Sequence, residues 1–234
     1  MPLPMGIFET DPEHTERKPK FEKPDSAFIF RAGYQENNLP QKLSKWRVTT
    51  HDRDIAAAVA QSMGGSVTEW ETSGDDFLQV FTDTVEVPIL LDGPDAIDVP
   101  LIQWGPNKQP IHICDGVTML GPDKEDIGKP CGCPRELKQR KQLARKGRGP
   151  KPEIKVWFRL AEDEDLGRGY VKSNAWDFLL NLRTVVAELE RIGGPAVGTL
   201  KLNHVNYETD THTVEYYHGE IHSLKSYNDA VSGE

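Results

Sequence analysis

Every cysteine of this 234-residue chain falls within twenty positions, as Cys114, Cys131 and Cys133, and His112 stands two residues ahead of the first. Three thiolates and an imidazole at that spacing form a donor set for one soft divalent ion. Four N or S donors close tetrahedrally around such an ion and leave no open position for a reacting ligand. A structural Zn2+ is therefore the natural occupant, and its task would be to staple a loop. Asp115, His204 and His222 are alternative fourth donors to His112. Two other fates for the thiols stay open: free cysteine packs as a small apolar core residue, and a pair can oxidise to a disulfide. Cys131-Gly132-Cys133 is also tighter than the usual Cys-x2-Cys knuckle. Gly116, Gly121, Pro122, Gly128, Pro130, Gly132 and Pro134 crowd the same stretch, so the thiols are expected in loops.

The remaining candidates for chemistry are weaker. His204, His212, His218 and His222 lie close in sequence but lack the His-Glu-x2-His pattern of a metal-dependent hydrolase, and they read as polar surface residues. The acidic clusters Asp75-Asp76 and Glu162-Asp163-Glu164-Asp165 lack the alternating ligands of a calcium loop. Gly147 with Gly149, and Gly167 with Gly169, have neither the third glycine nor the strand-to-helix setting of a phosphate cradle. A metal-dependent enzyme would further need a general base, and the sequence names none. The basic stretch over 135–155 is more distinctive, since nine Lys and Arg face only Glu136 and Glu153 there. Arg135, Arg140, Lys141 and Arg145 are its candidate partner-binding residues. They could contact phosphates, which makes a zinc-containing DNA-binding regulator the alternative reading, or they could orient the chain on an acidic protein surface. No aromatic residue interleaves with those cations before Trp157, which argues against a platform for single-stranded nucleic acid.

These residues need elements to position them. A strand at 46–49, a helix through Ile55, Val59 and Met63, and strands at 77–81, 85–91 and 97–104 make an antiparallel sheet carrying one helix. Pro134 and Gly147 bracket a short cationic helix over 134–146. Ile154, Val156, Phe158 and Leu160 alternate as a strand with one buried face. The longest helix, 173–192, carries Trp176, Leu179, Leu180, Leu182, Val185, Val186, Leu189 and Ile192 at three-and-four spacing, with Ser173 to cap it and Gly193-Gly194-Pro195 to end it. A hairpin of 197–207 with 213–217 follows, and the last dozen residues are expected to fray. The fold class is thus α+β, with mostly antiparallel sheets, about three helices and a metal-stapled loop region. The expected organisation is an N-terminal arm over 1–26, a β-rich α+β domain over 27–110, the Cys/His loop and basic helix over 111–152, an α+β C-terminal domain over 153–225 and a tail over 226–234. A formal charge of -9 argues against a protein that coats nucleic acid. No apolar run approaches the roughly 20 residues that cross a bilayer, and Met1–Thr10 does not look like a secretion signal, so a soluble cytoplasmic protein is expected.

Three blocks of this chain, taken in order, resemble the recombination directionality factors of temperate phages that integrate with a large serine integrase. The first is Pro40, Leu43 and Trp46-Arg47-Val48-Thr49-Thr50; the second is Gly64-Gly65, Val67 and Trp70. The third, the most diagnostic, runs from Cys114-Asp115-Gly116 through Gly128, Pro130, Cys131 and Cys133-Pro134 to the basic helix and Gly147-Arg148-Gly149-Pro150 with Pro152. The resemblance covers nearly the whole chain. It implies a non-catalytic factor that binds the integrase near its zinc domain and coiled coil, favours recombination of the prophage ends attL and attR, and inhibits attP × attB. It also implies a partner already bound to attachment-site DNA, little direct DNA binding, no membrane, and residence in the cytoplasm of the bacterial host.

Overall fold

The computed structural model describes residues 26–36, 39–72, 74–208 and 213–232, so nearly all of the expected N-terminal arm lies outside the described residues. Its strands are β1 (Ile29–Glu36), β2 (Leu39–Thr50), β3 (Val67–Glu69), β4 (Leu78–Phe81), β5 (Glu86–Leu91), β6 (Ile97–Asp98), β7 (Leu101–Trp104), β8 (Pro110–Cys114), β9 (Met119–Gly121), β10 (Lys151–Pro152), β11 (Ile154–Leu160), β12 (Gly169–Ser173), β13 (Ala196–Glu208) and β14 (Thr213–Ser226). The α-helices among the described residues are α1 (Arg53–Met63), α2 (Leu137–Arg145), α3 (Trp176–Ile192) and α4 (Tyr227–Ser232).

Ten strands form the main sheet, in the order β14-β13-β5-β11-β12-β1-β2-β4-β3 with β6 also on β11. Every pairing in it is antiparallel except β1 with β12. The α+β class and its antiparallel sheets follow the sequence expectation. Strands from 27–110 and from 153–225 share this one sheet and one buried cluster. At its centre Phe30 meets Phe28, Trp46 and Phe158 with ring centroids 5.4–5.8 Å apart, in the edge-to-face range that aromatic quadrupoles prefer. The alternation of β11 behaves as expected: Ile154, Val156, Phe158 and Leu160 are buried and the residues between them are half-exposed.

Helix α3 covers β14 and the core with Phe178, Leu182, Val185 and Leu189, a four-three-four spacing that keeps one stripe inward. The stripe is rotated from the one expected, with Phe178 fully buried and Leu180 largely exposed. The helix also begins later than expected. Ser173 is the last residue of β12, and its hydroxyl accepts from the Ala175 N–H at 3.2 Å, turning the chain into the helix without capping it. The expected strand over 97–104 is broken by Val99-Pro100 into β6 and β7, one in each sheet. Part of the expected tail is helical: α4 is tied back by the Tyr227 N–H to Pro195 O at 2.9 Å, and the Ser226 hydroxyl accepts from the Asp229 N–H at 3.2 Å.

Among the described residues β14 pairs only with β13, so it forms one border of the main sheet. A bare border offers unpaired N–H and C=O groups to stray strands. Asn181 of α3 answers this at Ile221: its amide Nδ2 donates to Ile221 O and its Oδ1 accepts from the Ile221 N–H, each at 2.9 Å. Replacing Asn181 by Leu keeps the volume but strands both backbone groups, so stability should fall by about 2 kcal/mol. Urea unfolding followed by tryptophan fluorescence measures this, and an unchanged midpoint would show that the amide does not protect the border.

Candidate metal centre

A second, four-stranded sheet, β10-β7-β8-β9, positions the cysteines. Side chains two apart on a strand share a face, so β8 presents His112 and Cys114 side by side. The loop expectation is therefore corrected for these two residues: they are strand residues, with His112 opposite Gln103 and Cys114 opposite Leu101 on β7. Glycine and proline density hid the strand because they fill the turns around it.

The other two donors arrive through a hydrogen-bonded bracket. Asp115 accepts from the N–H groups of Val117 and Thr118 at 2.7 Å and from the Thr118 hydroxyl at 2.8 Å, which turns the chain after β8. That turn holds the Asp115 carboxylate well below the usual range, because those donors favour its charged form. The returning segment then runs alongside 117–119: Met119 N–H donates to Lys129 O at 2.8 Å, Gly128 N–H to Met119 O at 2.9 Å, and Cys131 N–H to Val117 O at 2.9 Å. This register delivers Cys131 and Cys133 opposite β8.

The donor atoms of His112, Cys114, Cys131 and Cys133 all lie within 4.8 Å of one another. Cys114 Sγ is 3.9 Å from Cys133 Sγ, and Cys133 Sγ is 3.5 Å from His112 Nε2. Thiolate–metal bonds of about 2.3 Å at tetrahedral angles would set neighbouring sulfurs about 3.8 Å apart, so these separations fit a single four-coordinate ion. The cluster could hold a metal ion, with His112 as its nitrogen donor. The substitutes are otherwise engaged: Asp115 makes the turn, His204 Nε2 bonds Glu215 at 2.9 Å on the β13–β14 hairpin, and His222 Nδ1 meets Ser223 Oγ at 2.9 Å. All three thiols are free, so no disulfide competes. His212 lies outside the described residues, and buried His218 donates from Nδ1 to its neighbour's carbonyl, Gly219 O, at 2.9 Å.

Burial, and then the nearby thiols, push Cys114 up to about 12; burial likewise raises Cys133 and lowers His112. Thiolates crowded in a desolvated site repel one another, and a bound cation reverses that balance by replacing their protons. A neutral imidazole is the form that ligates, so the downward shift of His112 also suits a ligand role.

The basic helix packs on this cluster. It begins at Leu137, three residues later than Pro134 suggested, and the Arg140 guanidinium reaches back from it into the bracket. Arg140 Nε donates to Pro134 O, and Nη2 donates to Gly116 O at 2.6 Å. Gly116 has φ +94°, and a β-carbon there would collide with that guanidinium, so both the conformation and the close approach require glycine. Lys141 Nζ lies 3.6 Å from Asp177 Oδ1 in the first turn of α3, and the Tyr216 hydroxyl donates to the other Asp177 oxygen. Of the four candidate partner-binding residues, then, Arg140 pins the bracket and Lys141 ties α2 to the main sheet, while Arg135 and Arg145 remain exposed. Sequence reasoning had no local signal for the role of Arg140, because its two carbonyl partners lie 6 and 24 residues away.

Comparison with known proteins adds one match: the family model described as Gp3-like, recombination directionality factor-like, covers residues 14–223. No solved structure matches the chain.

Two substitutions separate the roles of these residues. Cys133→Ser removes a donor and should weaken metal binding by more than the roughly 10- to 100-fold that losing a supporting contact costs. Metal content after dialysis and the melting temperature should fall together, and retention of both would remove Cys133 from the site. Arg140→Ala should lower stability by about 1–3 kcal/mol through two lost charge-assisted hydrogen bonds while metal is still bound. An unchanged unfolding midpoint in that variant would show that the guanidinium does not pin the bracket.

Proposed function

Because this chain belongs to the recombination directionality factor-like family, we propose that it binds a large serine integrase and switches that enzyme from integration to prophage excision, favouring attL × attR and inhibiting attP × attB. The observation that carries the reading is the span of the match, 14–223, which takes in the main sheet, the donor cluster and the basic helix together. The factor is non-catalytic in this account, and phosphodiester chemistry stays with the serine of the integrase.

A binding protein shifts a reaction's direction only if it grips one arrangement of its partner better than another. Moving a population from 1:99 to 99:1 takes about 5.5 kcal/mol of differential affinity, which a few contacts on each subunit of an integrase tetramer would supply. Zn2+ is the ion we assign to His112, Cys114, Cys131 and Cys133. When bound it supplies folding free energy and no open coordination position. The protein's place is then the cytoplasm of the bacterial host, where thiols stay reduced.

Exposed cations favour one second reading, a zinc-containing DNA-binding regulator acting through 134–148. Among the described residues Arg135, Lys138, Arg145, Lys146 and Arg148 make no ion pair. Mixing the protein with its cognate integrase and each pair of attachment sites separates the two. The switch reading expects attL × attR product to rise, attP × attB product to fall, and no retardation of attachment-site DNA by the factor alone. A salt-sensitive shift of that DNA without integrase, with recombination unaffected, would contradict it.

A further inference from the structure

Twelve large apolar side chains are strongly exposed among the described residues, and five of them, Trp104, Ile111, Val117, Leu120 and Ile127, fall within the metal-binding unit. Scattered exposed apolar residues are ordinary, whereas a cluster marks a contact surface. Here the bracket clusters them. The hydrogen bonds that pair Val117 with Cys131, and Met119 with Gly128 and Lys129, hold Val117, Leu120 and Ile127 on or beside two adjoining segments of the bracket. Ile111 on β8 and Trp104 on its partner strand β7 add two more exposed apolar side chains to this unit. At 47–72% exposure these side chains offer on the order of 500 Å² of accessible surface, against the roughly 800 Å² that one partner contributes to a standard protein interface. The patch is large enough for an interface centre and lacks only a rim.

One side of its rim is cationic, while Asp123, Glu125 and Asp126, in the loop between Leu120 and Ile127, make the other side acidic. Gly116, the neighbour of Val117, accepts from Arg140, which also grips Pro134; Arg135 follows directly and is exposed. From there Leu137, Lys138, Lys141, Gln142 and Arg145 run along one open face of α2. An apolar centre edged on the α2 side by the exposed cations Arg135, Lys138 and Arg145 matches a protein surface that is apolar at its middle and acidic where it meets that edge. It does not match duplex DNA, whose phosphates would leave the apolar centre uncovered.

We propose that this apolar shoulder, Val117, Leu120 and Ile127 continued by Ile111 and Trp104, is the surface that docks on the integrase, with Arg135 at its edge facing carboxylates of the partner. The proposal rests on the directionality-factor reading and names the face that this reading leaves open. The metal and Arg140 then act indirectly, by holding the bracket that displays the shoulder.

The test uses the full-length protein and its cognate serine integrase. The double variant Val117→Asp, Ile127→Asp should bind the integrase about tenfold or more weakly and lose stimulation of attL × attR, with metal content and melting temperature kept. Val117→Ser with Ile127→Ser gives the same reading without added charge, should the aspartates disturb folding. Arg135→Glu should weaken binding and flatten its dependence on salt. Equal affinity of the wild-type and shoulder variants for integrase would overturn this surface alone. So would variants that only dissociate copies of this chain from one another, or only alter DNA binding, with integrase affinity intact. A wild-type protein that does not bind integrase would overturn the functional reading, and this surface with it.

Discussion

Four donor atoms, two from a strand and two from a loop that returns to it, define the small sheet of this molecule. Little else could. Leu101, Ile102, Cys114, Ala144 and Pro152 are the buried apolar residues of that unit among the described residues, and none belongs to the continuous core of the main sheet. So few buried side chains do not offset the entropy of ordering the unit, and small units of this kind rely on disulfides or metals. The three cysteines form no disulfide, so a metal held by the cluster is the cross-link proposed for this unit. The turn at Asp115, the register of 117–119 with 128–131 and the approach of Arg140 to Gly116 bring those donors together.

The rest of the fold can be seen as a mount for that unit. The main sheet has its own aromatic centre and its own helical cover, with one border guarded at Ile221 by Asn181. The two parts meet through Lys141, Asp177 and Tyr216. Burial, and then the bond to Asp177, push the Tyr216 hydroxyl up to about 12, so it stays a protonated donor at neutral pH. Charge is divided in the same way: the chain is acidic overall, while its cations concentrate beside the donor cluster. A protein that must find one face of a partner gains from that division, because an oriented field sets the geometry of encounter.

Much of this could be read from the residues, for identifiable reasons. The donor set was legible because cysteine is rare in this chain, so three within twenty positions stand out against an almost empty background. Helix α3 and strand β11 were legible because each carries one strong period. Strand β1 went unread because Arg31 and Gly33 interrupt its apolar pattern, and Arg31 lies opposite Arg47 in the sheet. Strands β8 and β9 were masked by the turns that surround them. The roles of Arg140 and Lys141 were out of reach for a different reason. A cation in a basic run reads as surface charge, and only the tertiary fold reveals that one reaches two carbonyls and the other a carboxylate on a distant helix.

A metal bound by the cluster would order the small sheet alone. Amide hydrogen exchange with and without a strong chelator tests it most directly. On chelation, protection should collapse over 110–150, including the bracket and α2, while β11, β13 and the inner face of α3 keep theirs. Unchanged protection over 110–150 would contradict the claim, as would loss of protection throughout the main sheet.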